Sequence, residues 1–321
     1  MSGGGVRFAD VFSRIPAVVA VVVALGAPAP SEPLLPDLRQ APVGCRGGTT
    51  VEPAECRDWD VCLVADASSP TGPCLERGPA AAVRLRFTSA VDNVGDGPLV
   101  IYAQRSADEP TMRARQAVQS GVDGAVPASY DEAQRDLPAT VYYEPAATHE
   151  HWHLLDFEHF MLRTHDGGTV VTDRKNGFCL GDRYRTADDP PARPKDPDSV
   201  AGQLAKFLRV NMCKRHKPSV LAVKQGISVG WGDDYRHDVD FQWLDLTHVP
   251  SGVYDVVNVV NADRGLVEKD YANNASSIAI VLYWPGGARN PPEVITEPPL
   301  VRLIRSCPGQ ERCARPRPPV P

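Results

Sequence analysis

The chain has 321 residues, 42% of them apolar, which is enough for one large or two modest domains with a packed core and excludes a disordered chain. A formal net charge of −6 gives no basic footprint for nucleic acid, although an acidic surface mildly attracts cationic amines. Eight cysteines, an even number, fit disulfides made in an oxidising compartment.

Residues 1–29 read as an export signal: Arg7 and Arg14 precede an apolar run from Ile15 to Ala27, and small residues follow at Gly26, Ala27 and Ala29. The run is short for a bilayer span, so the mature chain is expected outside the cell with no stable membrane span. An uncleaved anchor is the alternative, because Pro28 and Pro30 crowd the cleavage site. Residues 30–44, rich in proline and small residues, read as a linker, and folded structure is expected to begin near Cys45. Residues 45–80 carry Cys45, Cys56, Cys62 and Cys74 among glycines and prolines and read as a stapled extension; four cysteines allow three pairings.

Residues 81–285 carry the main body. Strand-like stretches between Val83 and Tyr102 flank the turn residues Asn93-Val94-Gly95-Asp96-Gly97-Pro98. Residues 106–137 are polar with scattered apolar positions and read as an irregular excursion. Next comes His149-Glu150-His151-Trp152-His153. In an extended strand this spacing sets three imidazoles on one face, with Glu150 and Trp152 on the other. On a helix they would fan out by about 200° per step of two and could not converge. An imidazole-only set suits copper, zinc, nickel or iron, and copper binds most tightly among the divalent first-row ions. A polar face meeting solvent is the simpler alternative; three histidines in strict alternation favour the metal.

Past this segment, residues 158–162 continue extended, Asp166-Gly167-Gly168 turns, and residues 169–172 return as a hairpin that carries Lys175 back towards the histidines. After a proline-rich break at 188–197, Val200, Leu204, Phe207 and Leu208 fall at helical spacing. From Asp238 the alternation of Val239, Phe241 and Trp243 with Asp238, Asp240 and Gln242 is that of a strand; Pro250-Ser251-Gly252 turns, and strands follow at 253–261 and 277–284. Many short strands and one helix indicate an all-β fold, an antiparallel β-sandwich. Residues 286–321, proline-rich and containing Cys307 and Cys313, read as a surface tail pinned by a disulfide.

Three further segments, with the histidine stretch and Asp156, resemble the lysyl oxidase catalytic domain in the same order along the chain. They are Lys175-Asn176-Gly177-Phe178-Cys179-Leu180-Gly181-Asp182, the stretch from Asp233-Asp234-Tyr235 to Gln242-Trp243-Leu244-Asp245, and Glu268-Lys269-Asp270-Tyr271-Ala272-Asn273-Asn274. Gln225-Gly226-Ile227-Ser228 is also similar to that family. The resemblance runs from about Cys56 to Trp284 and implies a copper-dependent amine oxidase. It makes His149, His151 and His153 the copper ligands, and Lys175 and Tyr235 the precursors of lysyl tyrosylquinone, a cofactor built from the protein's own side chains.

The residue types suit that chemistry. A phenol near copper(II) and oxygen can be oxidised to a quinone, and a neutral lysine amine can attack it; burial or a nearby cation favours the neutral amine. The implied reaction takes a primary amine, peptidyl lysine or small, to an aldehyde through a Schiff base, with oxygen leaving as hydrogen peroxide and nitrogen as ammonia. Candidate general bases are His159, Asp238 and Asp240, each of which also has a plain structural reading as a strand polar residue or a loop hydrogen-bonder. Asp270, Tyr271, Asn273 and Asn274 read as turn chemistry.

The chain departs from the family's vertebrate members in several places. Thr148 and Phe241 stand where those members carry cysteines, Ala146 stands where they carry a further histidine, and the spacing from Lys175 to Tyr235 is longer. The insertion is expected to reshape the rim of the site. The family's shared spacing implies a Cys56–Cys62 bond, leaving Cys45 with Cys74. Cys179 and Cys213 stand where the family has cysteines but lack their partners, at Arg185 and Thr148, so they are expected to pair with each other, and Cys307 with Cys313. Two rival readings are a non-catalytic exported β-sandwich binding copper or zinc, and a zinc hydrolase with an open water position.

Overall fold

The computed structural model describes residues 1–5, 32–48, 56–70, 72–121, 125–164, 166–172 and 177–313. The export signal from residue 6 onward, Lys175 with Asn176, and the tail from residue 314 lie outside the described residues. The chain divides into two compact units, Met1–Ser31 and Glu32–Pro321. Of the first, residues 1–5 are described and carry no regular structure; everything below concerns the second.

Its architecture is all-β, in antiparallel sheets with one α-helix among the described residues. One five-stranded sheet runs, in spatial order, His151–Leu154, Arg135–Glu144, Thr111–Ala117, Leu99–Gln104 and Ala222–Ile227. A second runs Thr169–Thr172, Glu158–Thr164, Gly252–Val260, Ala275–Tyr283 and Leu300–Cys307. A four-stranded sheet orders Tyr184–Arg185, Trp231–Tyr235, Ser89–Asn93 and Leu38–Gln40, and a three-stranded one Trp243–Asp245, Ala82–Phe87 and Trp59–Val64. All four contribute to one hydrophobic core, in which Leu38, Phe87, Ile101, Val141, Phe160 and Ile280 are fully buried.

The hairpin across Asp166-Gly167-Gly168 is present, Glu158–Thr164 pairing with Thr169–Thr172. The helix spans Val200–Arg209: Ser199 caps it by accepting from the Gly202 N–H, Leu204, Ala205 and Leu208 are buried, and Lys206 and Arg209 sit at its C-terminal end. The strands expected near 253–261 and 277–284 are Gly252–Val260 and Ala275–Tyr283.

Other expectations are corrected. The stretch 106–137 is not irregular: Thr111–Ala117 is a central strand that buries Met112, Ala114 and Gln116 and turns Thr111 and Arg113 outward. Small and polar inward residues hid its alternation. The strand around Tyr235 is Trp231–Tyr235, whereas residues 236–242 form turns, with Phe241 in the left-handed region (φ 62°), so Asp238 and Asp240 do not share a strand face. Ordered structure begins before Cys45, because Leu38–Gln40 pairs with Ser89–Asn93 and Leu38 is fully buried. The proline-rich tail contributes a strand, Leu300–Cys307, to the edge of the second sheet. The disulfides are Cys45–Cys56 and Cys62–Cys74, in place of the pairing the family's spacing implied, together with Cys179–Cys213 and Cys307–Cys313 as expected.

Candidate functional site

The three histidines converge, but by a different route from a single straight strand. His151 and His153 lie on the edge strand His151–Leu154 and share a face. His149 arrives from a turn in which the Ala146 carbonyl accepts from the N–H groups of both His149 and Glu150, and Glu150 adopts a left-handed conformation (φ 47°). All three imidazoles are buried, and one ligand nitrogen from each lies within 4.8 Å of the others. The Nε2 atoms of His151 and His153 face each other at 2.8 Å.

Two lone-pair nitrogens meeting in a buried place either share a proton or share a cation. A carboxylate sits behind His149: its Nδ1 is 3.2 Å from the Thr148 hydroxyl and 3.5 Å from Asp240 Oδ2. Asp240 in turn accepts from the Thr148 N–H at 3.0 Å and from the Thr148 hydroxyl, while its own N–H donates back to that hydroxyl at 3.0 Å. Burial alone would raise the Asp240 carboxyl, but the donors from His149 and Thr148 outweigh it and hold the group below its ordinary value. A carboxylate on one ring nitrogen is the arrangement that orients a metal-binding imidazole and sets the other nitrogen as ligand. The donor set therefore fits a copper or zinc ion.

Strand pairing brings two further residues to this face. His153 lies opposite Tyr142 and His151 opposite Glu144. The Tyr142 ring meets His153 edge-on at 5.8 Å, and its hydroxyl donates to Glu144, whose other oxygen accepts from the Ala146 N–H at 2.8 Å. Burial, then the Glu144 carboxylate, push the Tyr142 phenol well above its ordinary value. Neither residue was singled out from sequence. Their shared parity with the histidines was a signal, but it becomes one only after the pairing register is known.

Tyr235 is reached through the segment 177–182. Its hydroxyl accepts from the Cys179 N–H at 2.6 Å and donates to the Cys179 carbonyl at 2.9 Å, and Phe178 packs edge-on against its ring at 4.8 Å. Burial, reinforced by the nearby Asp233, raises the phenol well above its ordinary value. Phe178 also pairs with Leu154 at the end of the histidine strand, with reciprocal backbone bonds of 2.8 and 2.9 Å. Gly177 makes that approach possible: its φ is +84°, and a Cβ there would lie 2.4 Å from the Leu154 carbonyl oxygen. The three residues Gly177, Phe178 and Cys179, which follow Lys175 and Asn176 directly, thus touch both the histidine strand and the tyrosine. Asp233 shares the Trp231–Tyr235 strand with Tyr235, accepts from the Gly181 N–H at 3.2 Å, and is pushed up to about 8 by burial despite Arg183 nearby.

The remaining candidates lie apart. Asp238 pairs with Arg236 at 3.0 Å, both half-exposed. His159 projects from Glu158–Thr164 and lies 3.7 Å from Asp263 on the surface. Asp240 belongs to the histidine cluster as the partner of His149.

Comparison with known proteins bears on the same segments. The family profile described as lysyl oxidase matches residues 206–284. The chain is 27% identical to lysyl oxidase homolog 2 of Gallus gallus over 249 residues, 71% of this chain and 28% of that protein. It is 35% identical to lysyl oxidase homolog 3B of Danio rerio over 130 residues, 40% of this chain and 13% of that protein. Lysyl oxidase homolog 3 of Homo sapiens is 33% identical over 128 residues, 40% of this chain and 14% of that protein. Over these parts of the chain the similarity is to the lysyl oxidase family.

The lysyl oxidase profile takes in the helix end, the Cys213 loop, the Tyr235 strand and the segment to Trp284, and leaves the histidine strand outside its bounds. This chain matches between 13% and 28% of the length of the lysyl oxidase homologs named above. Among the described residues no helix is long and apolar enough to cross a membrane.

Proposed function

We propose that this chain is an exported copper-dependent amine oxidase that converts primary amines, peptidyl lysine or small, to aldehydes. His149, His151 and His153 would hold the copper, and Lys175 and Tyr235 would be the precursors of lysyl tyrosylquinone. The observation that carries this reading is the placement of residues 177–179. They are bonded to the end of the histidine strand through Phe178 and to the Tyr235 hydroxyl through Cys179, and Lys175 precedes them by two residues.

When bound, the metal and the quinone supply the oxidising power and the electrophile: the amine leaves as an aldehyde, with oxygen and water taken up and hydrogen peroxide and ammonia released. The chain's own residues bind and orient. Asp240 and Thr148 fix the tautomer and tilt of His149. Cys179 keeps the Tyr235 ring in a defined place, and Phe178 packs against that ring. For the substrate's α-proton the candidates are His159, Asp238 and Asp240. The contacts of Asp240 suit a positioning role, those of Asp238 a surface ion pair and those of His159 a surface contact with Asp263, so these contacts select none of the three.

Copper loading followed by amine-dependent peroxide release tests the reading, alongside quinone-specific redox staining of the denatured protein. Copper uptake with neither stain nor peroxide would return the chain to the class of metal-binding β-sandwich proteins.

A further inference from the structure

The net charge of the chain is −6, yet Lys214-Arg215-His216-Lys217 places four cationic or titratable side chains in succession. This stretch is tightly held. The Cys213 carbonyl accepts from the Trp152 N–H at 3.0 Å, the Lys217 carbonyl accepts from the Trp152 indole at 3.1 Å, the His216 N–H donates to the Glu150 carbonyl at 2.7 Å, and Cys213 is bonded to Cys179. Three of its residues, Cys213, Lys214 and His216, are held at φ 43°, 57° and 57°, a conformation that side chains with a Cβ adopt at a cost and that glycine or asparagine would take more cheaply. Like charges crowded in a rigid turn add to that cost. Persistent strain in a well-bonded loop is a pointer to function.

Two acids flanking this stretch are already engaged, Glu150 with His216 and Asp198 with Lys206. Among the described residues, Lys214, Arg215 and Lys217 form no ion pair with a carboxylate. Immediately upstream, the segment is anchored from beneath by Leu208 and Asn211, both buried, while Phe207, Val210 and Met212 are 37%, 76% and 45% exposed. Cations interleaved with exposed apolar side chains are the pattern of a surface that meets an anionic lipid headgroup layer, the charges engaging phosphates and the apolar groups entering the interface. A soluble polyanion would use the cations and leave the apolar groups in water.

We propose that the segment 206–217 docks this protein on an anionic lipid surface, on the outer side of the strand that carries the histidines. Arg105, whose guanidinium lies 5.1 Å over the Trp152 ring and bonds the Val220 and Pro218 carbonyls, braces the loop from below.

The test is co-sedimentation of the full chain with vesicles of phosphatidylcholine, with and without phosphatidylglycerol, together with a titration of soluble heparin. Binding is expected only to vesicles containing phosphatidylglycerol and weakens as salt is raised. Replacing Lys214 and Lys217 together by glutamine weakens it about 30-fold, about fivefold for each cation. Val210→Ser with Met212→Ser, which keeps every charge, also weakens vesicle binding while leaving any heparin binding unchanged. Retained Cys179–Cys213 linkage and an unchanged melting temperature show that each variant is folded. Absence of binding to phosphatidylglycerol vesicles overturns the proposal, as does binding that the lysine variants leave intact. Heparin binding together with vesicle binding insensitive to the serine substitutions overturns it in favour of a soluble polyanion.

Discussion

Both backbone groups of Cys179 hold one side-chain atom: the Tyr235 hydroxyl accepts from the N–H at 2.6 Å and donates to the carbonyl at 2.9 Å. A phenol held in this way cannot swing towards another centre without giving up both bonds. Tyr235→Phe is expected to leave the Cys179 N–H without its acceptor, at a cost of about 1–3 kcal/mol in unfolding free energy. Copper binding should be unchanged and quinone staining absent. Denaturant unfolding with copper titration checks this, and a stain-positive Tyr235→Phe protein would reject Tyr235 as the precursor.

His151 has a histidine neighbour on either side, with ring centroids 5.3 Å from His149 and 4.7 Å from His153. His151→Ala should abolish the electron-spin signal of copper added at one equivalent. A full signal in this variant would show that the ion binds elsewhere.

Thr148 and Asp240 act as one unit on His149. Asp240→Asn is expected to lower copper affinity about 10–100-fold. Thr148→Val on that background should cost much less than it does alone, since its carboxylate partner is already altered. Competition against a chelator of known affinity gives all three values, and simple additivity would argue that the two residues are independent.

Two buried acids set a pH trend. Burial pushes Asp233 up to about 8 and Asp182 up to about 6. A carboxyl raised in the folded state binds more protons there than in the unfolded chain, so its contribution is full below about pH 4 and is lost as pH rises through the folded value. Asp233→Asn keeps an acceptor for the Gly181 N–H and removes the charge. Its melting temperature relative to the parent apo-protein should be level near pH 4 and climb through about pH 8, as thermal melts across that window would show. A difference that does not vary with pH would refute the buried-acid account.

Replacing Cys179 and Cys213 by serine should destabilise the fold by about 2–4 kcal/mol. It should also reduce quinone staining per bound copper, because the Tyr235 clasp loses its covalent anchor. Unchanged staining per copper would show that the backbone bonds suffice.

The sequence made the chemistry more legible than the geometry. Three histidines in alternation are a local pattern and could be read directly, whereas the turn that brings His149 in depends on a left-handed Glu150 and on the Ala146 carbonyl. The Thr148–Asp240 link spans 92 positions and leaves no local trace. Of the strands, Gly252–Val260 announced itself through its valines, while Thr111–Ala117 hid behind alanine and glutamine at inward positions. Cys45, Cys56, Cys62 and Cys74 lie so near one another in the chain that family spacing chose the wrong partners. Cys179 and Cys213 could be matched because each had lost its other option.

That last bond also orders events in time. Cys213 backs the histidine strand through Trp152, and Cys179 clasps Tyr235, so a single sulfur–sulfur link spans the two halves of the site. Until it closes, the halves are tied only by hydrogen bonds and side-chain packing. A newly made chain in a reducing cytosol, even one that met copper there, would carry a loosely assembled centre. Oxidation of these two thiols would then be the step at which the two halves are first held covalently.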